Sequence, residues 1–441
     1  MKNIIDNWKH IINKLETDGY EAYLVGGAVR DIIMNKNPND ADITTNATPL
    51  EVKEVFSEHT TIDTGIKHGT VTVIFEGTPF EVTTYRTESN YSDGRHPDKV
   101  TFSKNINDDL SRRDFTMNSI AFNPESGFVD PFDGQKDIGN EIIRCVGNPA
   151  ERFAEDSLRI LRAMRFSSVL GFRIEEETER AMFDCRELLK NVSCERVYTE
   201  LTKLLCGINV SQVLIKYSEI IAVVIPEIKD MKGFNKHNFH HKYDLLGHTA
   251  AVTQNIYPKV HLRLAAFLHD VAKPLCMSFD EDNVGHFYGH PSMGAKIADE
   301  ILKRLKSDNR TREAVITLIK LHDNPIEESE RIIKRKLRTI GKDLLFDLIE
   351  LQRADTSGLA DEFHTRFEHF DRLITLTEKI ITQEECFSLK NLDINGNDII
   401  ALGYYGKKIG EILNILLDAV IDGKTENNKE QLIEYIKRNG L

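Results

Sequence analysis

The chain changes character near residue 150. Before that point short β-rich runs alternate with helical stretches. Beyond it apolar residues recur at spacings of three and four with little interruption, the mark of helices. A switch of this kind excludes one uniform architecture and predicts an α/β head followed by all-α parts. In the head, residues 4–15, 28–34 and 50–56 read as helices, 23–25 and 40–43 as strands, and 71–75 and 79–85 as a strand pair joined by Glu76-Gly77-Thr78. A chain of 441 residues exceeds what one core can bury. The pattern divides it into a head (1–145), a neck (146–210), a body (211–340) and a tail (341–441).

Composition narrows the class. A net charge of −13 argues against a protein that coats nucleic acid, although Arg331, Lys334, Arg335, Lys336 and Arg338 form a local basic run that reads as a solvated face or a phosphate track. No apolar run approaches the ~18 to 20 residues of a membrane span, and the first residues lack a secretory apolar segment. Six scattered cysteines without a Cys-x-x-Cys fit reduced thiols, so the expected location is cytoplasmic.

Asp40 and Asp42, one residue apart in a predicted strand, project to the same face because side chains alternate. Two adjacent carboxylates repel, and a divalent cation relieves this; all-oxygen ligands that leave room for phosphates suit Mg²⁺. Upstream, Gly26-Gly27 allow close backbone approach to a phosphate, and Arg30 can neutralise one. A metal pair about 4 Å apart is a standard device for in-line nucleotidyl displacement. Glu81 shares a strand face with Thr83 and is a candidate third carboxylate, serving metals or acting as base. In Asp109-Leu-Ser-Arg-Arg-Asp-Phe-Thr-Met-Asn118, Arg112 and Arg113 offer forks for phosphate or ribose oxygens. Asp114 can accept from ribose hydroxyls, and in a helix Asn118 would share its face.

Residues 151–166 read as one helix on which Leu158, Leu161 and Met164 form an apolar stripe and Glu155, Asp156 and Arg159 can share one side. A carboxylate accepting from an exocyclic amine and an arginine donating to ring acceptors can read a base edge without a template. In the body, His248, His269-Asp270, His290 and His322-Asp323 form a second metal-type set. It is suited to Mn²⁺, Fe, Ni²⁺ or Zn²⁺ rather than to Mg²⁺ alone. His240 and His241 are left without a role.

Together these motifs resemble nucleotidyltransferases of the polymerase β type, and more narrowly the class II branch: tRNA CCA-adding enzymes and bacterial poly(A) polymerases. The resemblance implies a polymerase β-like mixed sheet and addition of C, C and A to the tRNA 3′ end from CTP and ATP. It implies Mg²⁺ at Asp40 and Asp42, and ribose recognition by Arg112, Arg113, Asp114 and Asn118. Base pairing falls to Asp156 and Arg159 with Glu155 holding the arginine, and Arg162 also contacts the nucleotide. Residues 130–144 resemble the family's hinge, 195–205 the helix closing the neck, and 392–413 the segment that grips tRNA. The histidine set resembles an HD phosphohydrolase domain holding a second divalent transition metal. Poly(A) polymerase and partial CC- or A-adding enzymes are the near alternatives; residues 64–72 and 91–97 look like the CCA type. An HD hydrolase with an inactive head, or an RNA-binding scaffold, is the alternative from another class.

Overall fold

In the computed structural model, residues 2–38, 40–89, 99–234, 244–282, 284–357, 367–383 and 385–441 are described. Residues 91–97, and His240 and His241, lie outside them. The chain forms two compact units, Met1–Pro226 and Glu227–Leu441.

The first unit opens with α1 (Lys2–Thr17), whose Trp8, Ile11, Ile12 and Leu15 follow the three–four spacing and are buried. They pack towards β1 (Ala22–Val25). Then come α2 (Gly27–Ile33), β2 (Asp42–Thr45), α3 (Pro49–Val55), β3 (Thr60–Gly65), β4 (Thr70–Phe75) and β5 (Thr78–Thr84). Glu76 and Gly77 join β4 to β5 at φ 48° and 76°, a turn whose positive φ matches the strand twist. A separate antiparallel pair, β6 (Arg86–Ser89) and β7 (Lys99–Phe102), precedes α4 (Ile106–Ser111), β8 (Ala121–Asn123) and β9 (Gly127–Val129).

Seven strands make one mixed sheet in the order β3-β4-β5-β2-β1-β8-β9. Only β2 and β5 run parallel among its pairs, with Asp42 opposite Glu81. On its other side Asp42 faces Val25. The strand expected over 40–43 therefore begins at Asp42. β1 ends where Gly26 turns away at φ 72°, which leaves Asp40 and Ala41 no β1 partner. β3 was not legible because it is mostly exposed and lacks alternation; β8 and β9 are too short to show any.

Helices follow: α5 (Gly134–Gly139), α6 (Pro149–Glu155), α7 (Leu158–Leu170), α8 (Glu176–Asp184), α9 (Cys194–Leu205), α10 (Val210–Lys216) and α11 (Ser218–Val224). The single helix expected over 151–166 is two, because Asp156 is extended at φ −145°, ψ 98°. Leu158, Leu161 and Met164 are buried, and α7 packs on α9.

The second unit is almost wholly helical: α12 (Leu245–Asn255), α13 (Val260–Leu268), α14 (His290–Arg304), α15 (Asn309–Leu321), α16 (Glu330–Ser357), α17 (Phe367–Thr382), α18 (Gly396–Ala401), α19 (Lys407–Ile421) and α20 (Lys429–Asn439). Gly341, at φ 78°, interrupts α16. The basic run on α16 is spent internally: Arg331 and Arg335 pair with Asp422, Arg338 with Asp418, and Lys334 with Glu385. A second core gathers Ile399, Ile412, Leu416, Leu417, Leu432 and Ile436.

Candidate active site

A cleft of about 900 Å³ in the first unit is lined by Gly26, Gly27, Arg30, Asp40, Asp42, Arg112, Arg113, Asp114, Asn118, Asp156, Arg159 and Arg162, all candidates from sequence. Glu81 and Glu155 are not among the lining residues but border it through Asp42 and Arg159. At its acidic end, the parallel register sets Glu81 beside Asp42, and Asp40 reaches them from the segment before β2. Asp42 is open to the cleft, yet the surrounding protein strips water from it. That desolvation, then the like charges of Asp40 and Glu81, push its carboxyl up to about 6 against the pull of Arg113. The like charges beside Asp42 are what a divalent cation would relieve, although the oxygens of the three carboxylates do not all lie within 4.8 Å of one another. Gly26 faces Asp42: a Cβ there would stand 3.4 Å from Arg113 Nη1 and 4.0 Å from Asp42 Oδ2.

Behind the trio, buried Asp109 fixes both arginines of the Arg-Arg-Asp motif. Its Oδ1 accepts from Arg112 Nε and Nη2 at 3.0 and 2.6 Å, and its Oδ2 from Arg113 Nη2 at 3.0 Å. Burial alone would raise this carboxyl, but Arg113 and Arg112 outweigh it and hold the group below the usual range. Asp114 is likewise lowered, with Arg162 overcoming burial; Arg162 Nη2 lies 2.6 Å from its Oδ2. Asn118 does join Asp114, donating at 3.2 Å, through a single 3₁₀ turn over Thr116–Asn118 rather than an α-helix. The amide oxygen of Asn118 then accepts from Arg30 Nη1 at 3.0 Å.

The break at Asp156 separates what sequence placed on one face. Glu155 keeps its expected partner, Arg159, at 2.7 Å. Asp156 instead turns to Arg196 on α9, which donates at 2.7 and 3.2 Å in a bidentate pair. Asp156 also accepts from the Leu158 amide, so its side chain opens α7 as its backbone ends α6. Arg159 donates onward to the Arg112 carbonyl at 3.1 Å, tying α7 to the residue that ends α4. Sequence reasoning gave no site role to Arg86, Glu88, Arg165, Phe166 or Arg196, which also line the cleft. Arg86 falls in Tyr-Arg-x-Glu after β5, a signal only in hindsight.

A second cluster lies within the second unit. His248, His269, Asp270, His290 and His322 converge, all buried. Asp270 Oδ2 is 3.3 Å from His269 Nε2 and 3.7 Å from His248 Nε2, while its Oδ1 is 3.5 Å from His290 Nε2 and 3.7 Å from His322 Nε2. His269, His290 and His322 each donate Nδ1–H to a backbone carbonyl, of Ala266, Phe287 and Ile319, which aims Nε2 at the centre. The buried Nε2 of His269 makes no hydrogen bond among the described residues. Asp323 is exposed and stands outside this cluster, within electrostatic reach of Lys273. Asp355 on α16 is the carboxylate that joins, with Oδ1 2.9 Å from His248 Nε2 and 3.5 Å from His269 Nε2. Nothing local in Gln352-Arg-Ala-Asp355 signals a ligand. The donor set fits a divalent transition metal.

Comparison with known proteins identifies the family of the chain. Residues 22–144 match the family described as "Poly A polymerase head domain", 171–232 that described as "Probable RNA and SrmB- binding site of polymerase A", and 290–436 that described as "tRNA nucleotidyltransferase domain 2 putative". Sheet, acidic trio and arginine-lined cleft thus define a nucleotidyltransferase, a class that works with a divalent metal. The CCA-adding enzyme of Enterococcus faecalis is 49% identical over 440 residues, covering 97% of this chain and 94% of that protein. That of Lactobacillus helveticus is 34% identical over 430 residues, covering 97% and 95%. The structure of Bacillus stearothermophilus CCA-adding enzyme in complex with CTP superposes with a TM-score of 0.69 at 28% identity, covering 100% of this chain and 98% of that one. The chain belongs to the CCA-adding enzyme family.

Proposed function

We propose that this protein adds C, C and A to the 3′ end of tRNA from CTP and ATP, releasing pyrophosphate at each step. The observation that supports the reading best is that Asp40 and Asp42, with Glu81 beside Asp42, share one cleft with Asp156 and Arg159. The tRNA 3′-oxygen forms a bond to the α-phosphorus, the bond from that phosphorus to the β-phosphate bridging oxygen breaks, and pyrophosphate leaves. Asp40 and Asp42 would hold Mg²⁺, which when bound supplies Lewis-acid stabilisation of the phosphate charge. Glu81, the register partner of Asp42, would take the proton of the attacking hydroxyl. Gly26 and Gly27 let phosphates approach the backbone, Arg30, Arg112 and Arg113 balance their charge, and Asp114 and Asn118 face the ribose. Asp156 and Arg159, held by Arg196 and Glu155, read the base edge, with Arg162 beside them.

The division into head, neck, body and tail is part of this proposal; the interruption of α16 at Gly341 supports the last boundary. So is a cytoplasmic location, supported by six free cysteines; no described helix is long and apolar enough to cross a membrane. A second reading concerns the histidine cluster. His248, His269, Asp270, His290, His322 and Asp355 would hold a divalent transition metal, which when bound activates water against a phosphomonoester or cyclic phosphodiester. The inward-facing Nε2 atoms favour it.

Incubation with tRNA lacking CCA and labelled CTP, ATP or both separates the alternatives. Growth by three nucleotides supports the proposal, a long A ladder indicates poly(A) synthesis, and arrest after two indicates a partial enzyme. Cleavage of a 2′,3′-cyclic phosphate that survives Asp42→Ala isolates the second site.

A further inference from the structure

The strand pair β6–β7 borders the cleft, and one side chain on it joins two of the cleft's arginines. Glu88 is 7% exposed, and its Oε1 lies 2.7 Å from Arg86 Nη2 and accepts from Arg112 Nη1 at 3.2 Å. Arg86 also donates Nε to the same oxygen at 2.8 Å and reaches the His68 carbonyl through Nη1. Arg112 is held from its other edge by Asp109, and its carbonyl accepts from Arg159 Nη2 at 3.1 Å. Arg86, Glu88, Arg112 and Arg159 therefore form one polar chain from the strand pair to the neck, and all four line the cleft. Two guanidiniums sharing one carboxylate oxygen repel without it. Burial and the charge of Arg112 disfavour the charged form of Arg86, and Glu88, which bonds both, opposes this together with the charge of Asp109 behind them.

We propose that Glu88 is a positioning residue for nucleotide choice: it pins Arg112 against Arg86 and, through the Arg112 carbonyl, fixes where Arg159 presents its guanidinium to the base. The inference rests on the nucleotidyltransferase reading above. Glu88 touches neither substrate nor metal in it. Losing the carboxylate should therefore change which base is preferred, not whether the phosphodiester forms.

The test compares kcat/KM for ATP and CTP on tRNA ending in CC, using full-length wild-type, Glu88→Gln, Glu88→Asp, Arg112→Met and the Glu88→Gln/Arg112→Met double variant. Glu88→Gln is expected to shift the ATP-to-CTP ratio by about fivefold or more, within the range for a lost charge-assisted contact. Glu88→Asp, which keeps the charge, should recover part of that shift. The double variant should show no more than Arg112→Met alone, because both changes break one path. A fall in kcat for both nucleotides at an unchanged ratio would mark Glu88 as merely structural and overturn the proposal, as would additive effects. Should Glu88→Gln not fold, Glu88→Ala takes its place, and an unaltered ratio in it overturns the proposal equally. A wild-type protein that incorporates neither nucleotide overturns the underlying reading and this inference with it.

Discussion

Asp42 stands between two other carboxylates, with Arg113 as the opposing cation, and this crowding is what a bound cation would relieve. Asp42→Ala is expected to lower CMP incorporation by about a thousandfold or more while tRNA affinity stays near wild type, because in the proposed mechanism the group acts at the reacting phosphate and not on the tRNA body. Single-turnover incorporation beside a filter-binding titration checks both halves. Arg159→Ala should blur the choice between CTP and ATP by about tenfold, the scale of one base-edge contact, more than it slows bond formation. Misincorporation assays on defined tRNA ends read that ratio. Asp109 yields a pH prediction. Its carboxyl is held below the usual range by Arg113 and Arg112, so its contribution to stability is complete above the unfolded value of about 4 and is lost as pH falls through the lower folded value. Asp109→Asn should cost about 3 kcal/mol at pH 7, and the gap to wild type should narrow below pH 4 in denaturant titrations. Asp40, Asp42, Arg112, Arg113 and Asp114 were legible because their meaning lies in spacing a reader can see. Asp355 and Glu88 were not: His248 stands 107 residues from Asp355, and although Arg86 sits two residues from Glu88, the contact that ties Glu88 to the cleft, Arg112, is 24 residues away.

At the scale of elements, the neck shows how one residue redirects a motif. Glu155, Asp156 and Arg159 suit an uninterrupted helix by spacing alone, and the periodicity on both sides of Asp156 is helical. What breaks the helix is tertiary: Asp156 closes α6, receives the Leu158 amide, and is pulled to Arg196 on another helix. Local propensity carries no trace of that last contact. The head's sheet was legible where strands alternate, as in β4 and β5, and illegible where pairing alone makes the strand, as in β3. A related dependence governs Asn118, whose turn is packed against the start of α5. A Cβ on Gly134 would stand 2.3 Å from the Thr116 carbonyl and 2.7 Å from Ile120 Cγ1. Neither neighbour can yield freely, one being backbone and the other fully buried. Gly134→Ala should cost about 2 kcal/mol or more. By shifting the turn that joins Arg30 to Asp114, it should also raise KM for both nucleotides alike. Urea unfolding and steady-state kinetics on the same preparation check the pair of effects, and the loss of one without the other would separate packing from site geometry.

At the scale of the whole chain, charge is arranged against the average. The net charge is −13, yet the cleft presents eight arginines against six carboxylates, so an anionic substrate meets a locally positive surface. The basic run on α16, which in sequence reads as the most obvious phosphate track, is instead largely committed to Asp418, Asp422 and Glu385. Net charge and charge runs were readable; which of them face a substrate was decided by pairing across distant helices. The second unit adds a metal-type centre whose ligands come from segments between residues 248 and 355. If those groups bind a cation, the ion stabilises the folded unit by linkage, because the unfolded chain cannot assemble the set. At a hundredfold excess over the dissociation constant this amounts to about 2.7 kcal/mol. For a unit of this size that corresponds to a rise in Tm of roughly 5 to 10 °C. Chelator-treated protein supplemented with Mn²⁺ or Ni²⁺ should show that rise by calorimetry, and Mg²⁺ alone should give less of it. His290→Ala and Asp355→Asn should each abolish most of the metal-dependent rise while leaving CMP incorporation within about twofold of wild type, since neither residue lines the nucleotide cleft. An equal rise in both variants would show that the ion binds elsewhere, and the histidines would then be a buried hydrogen-bonding core.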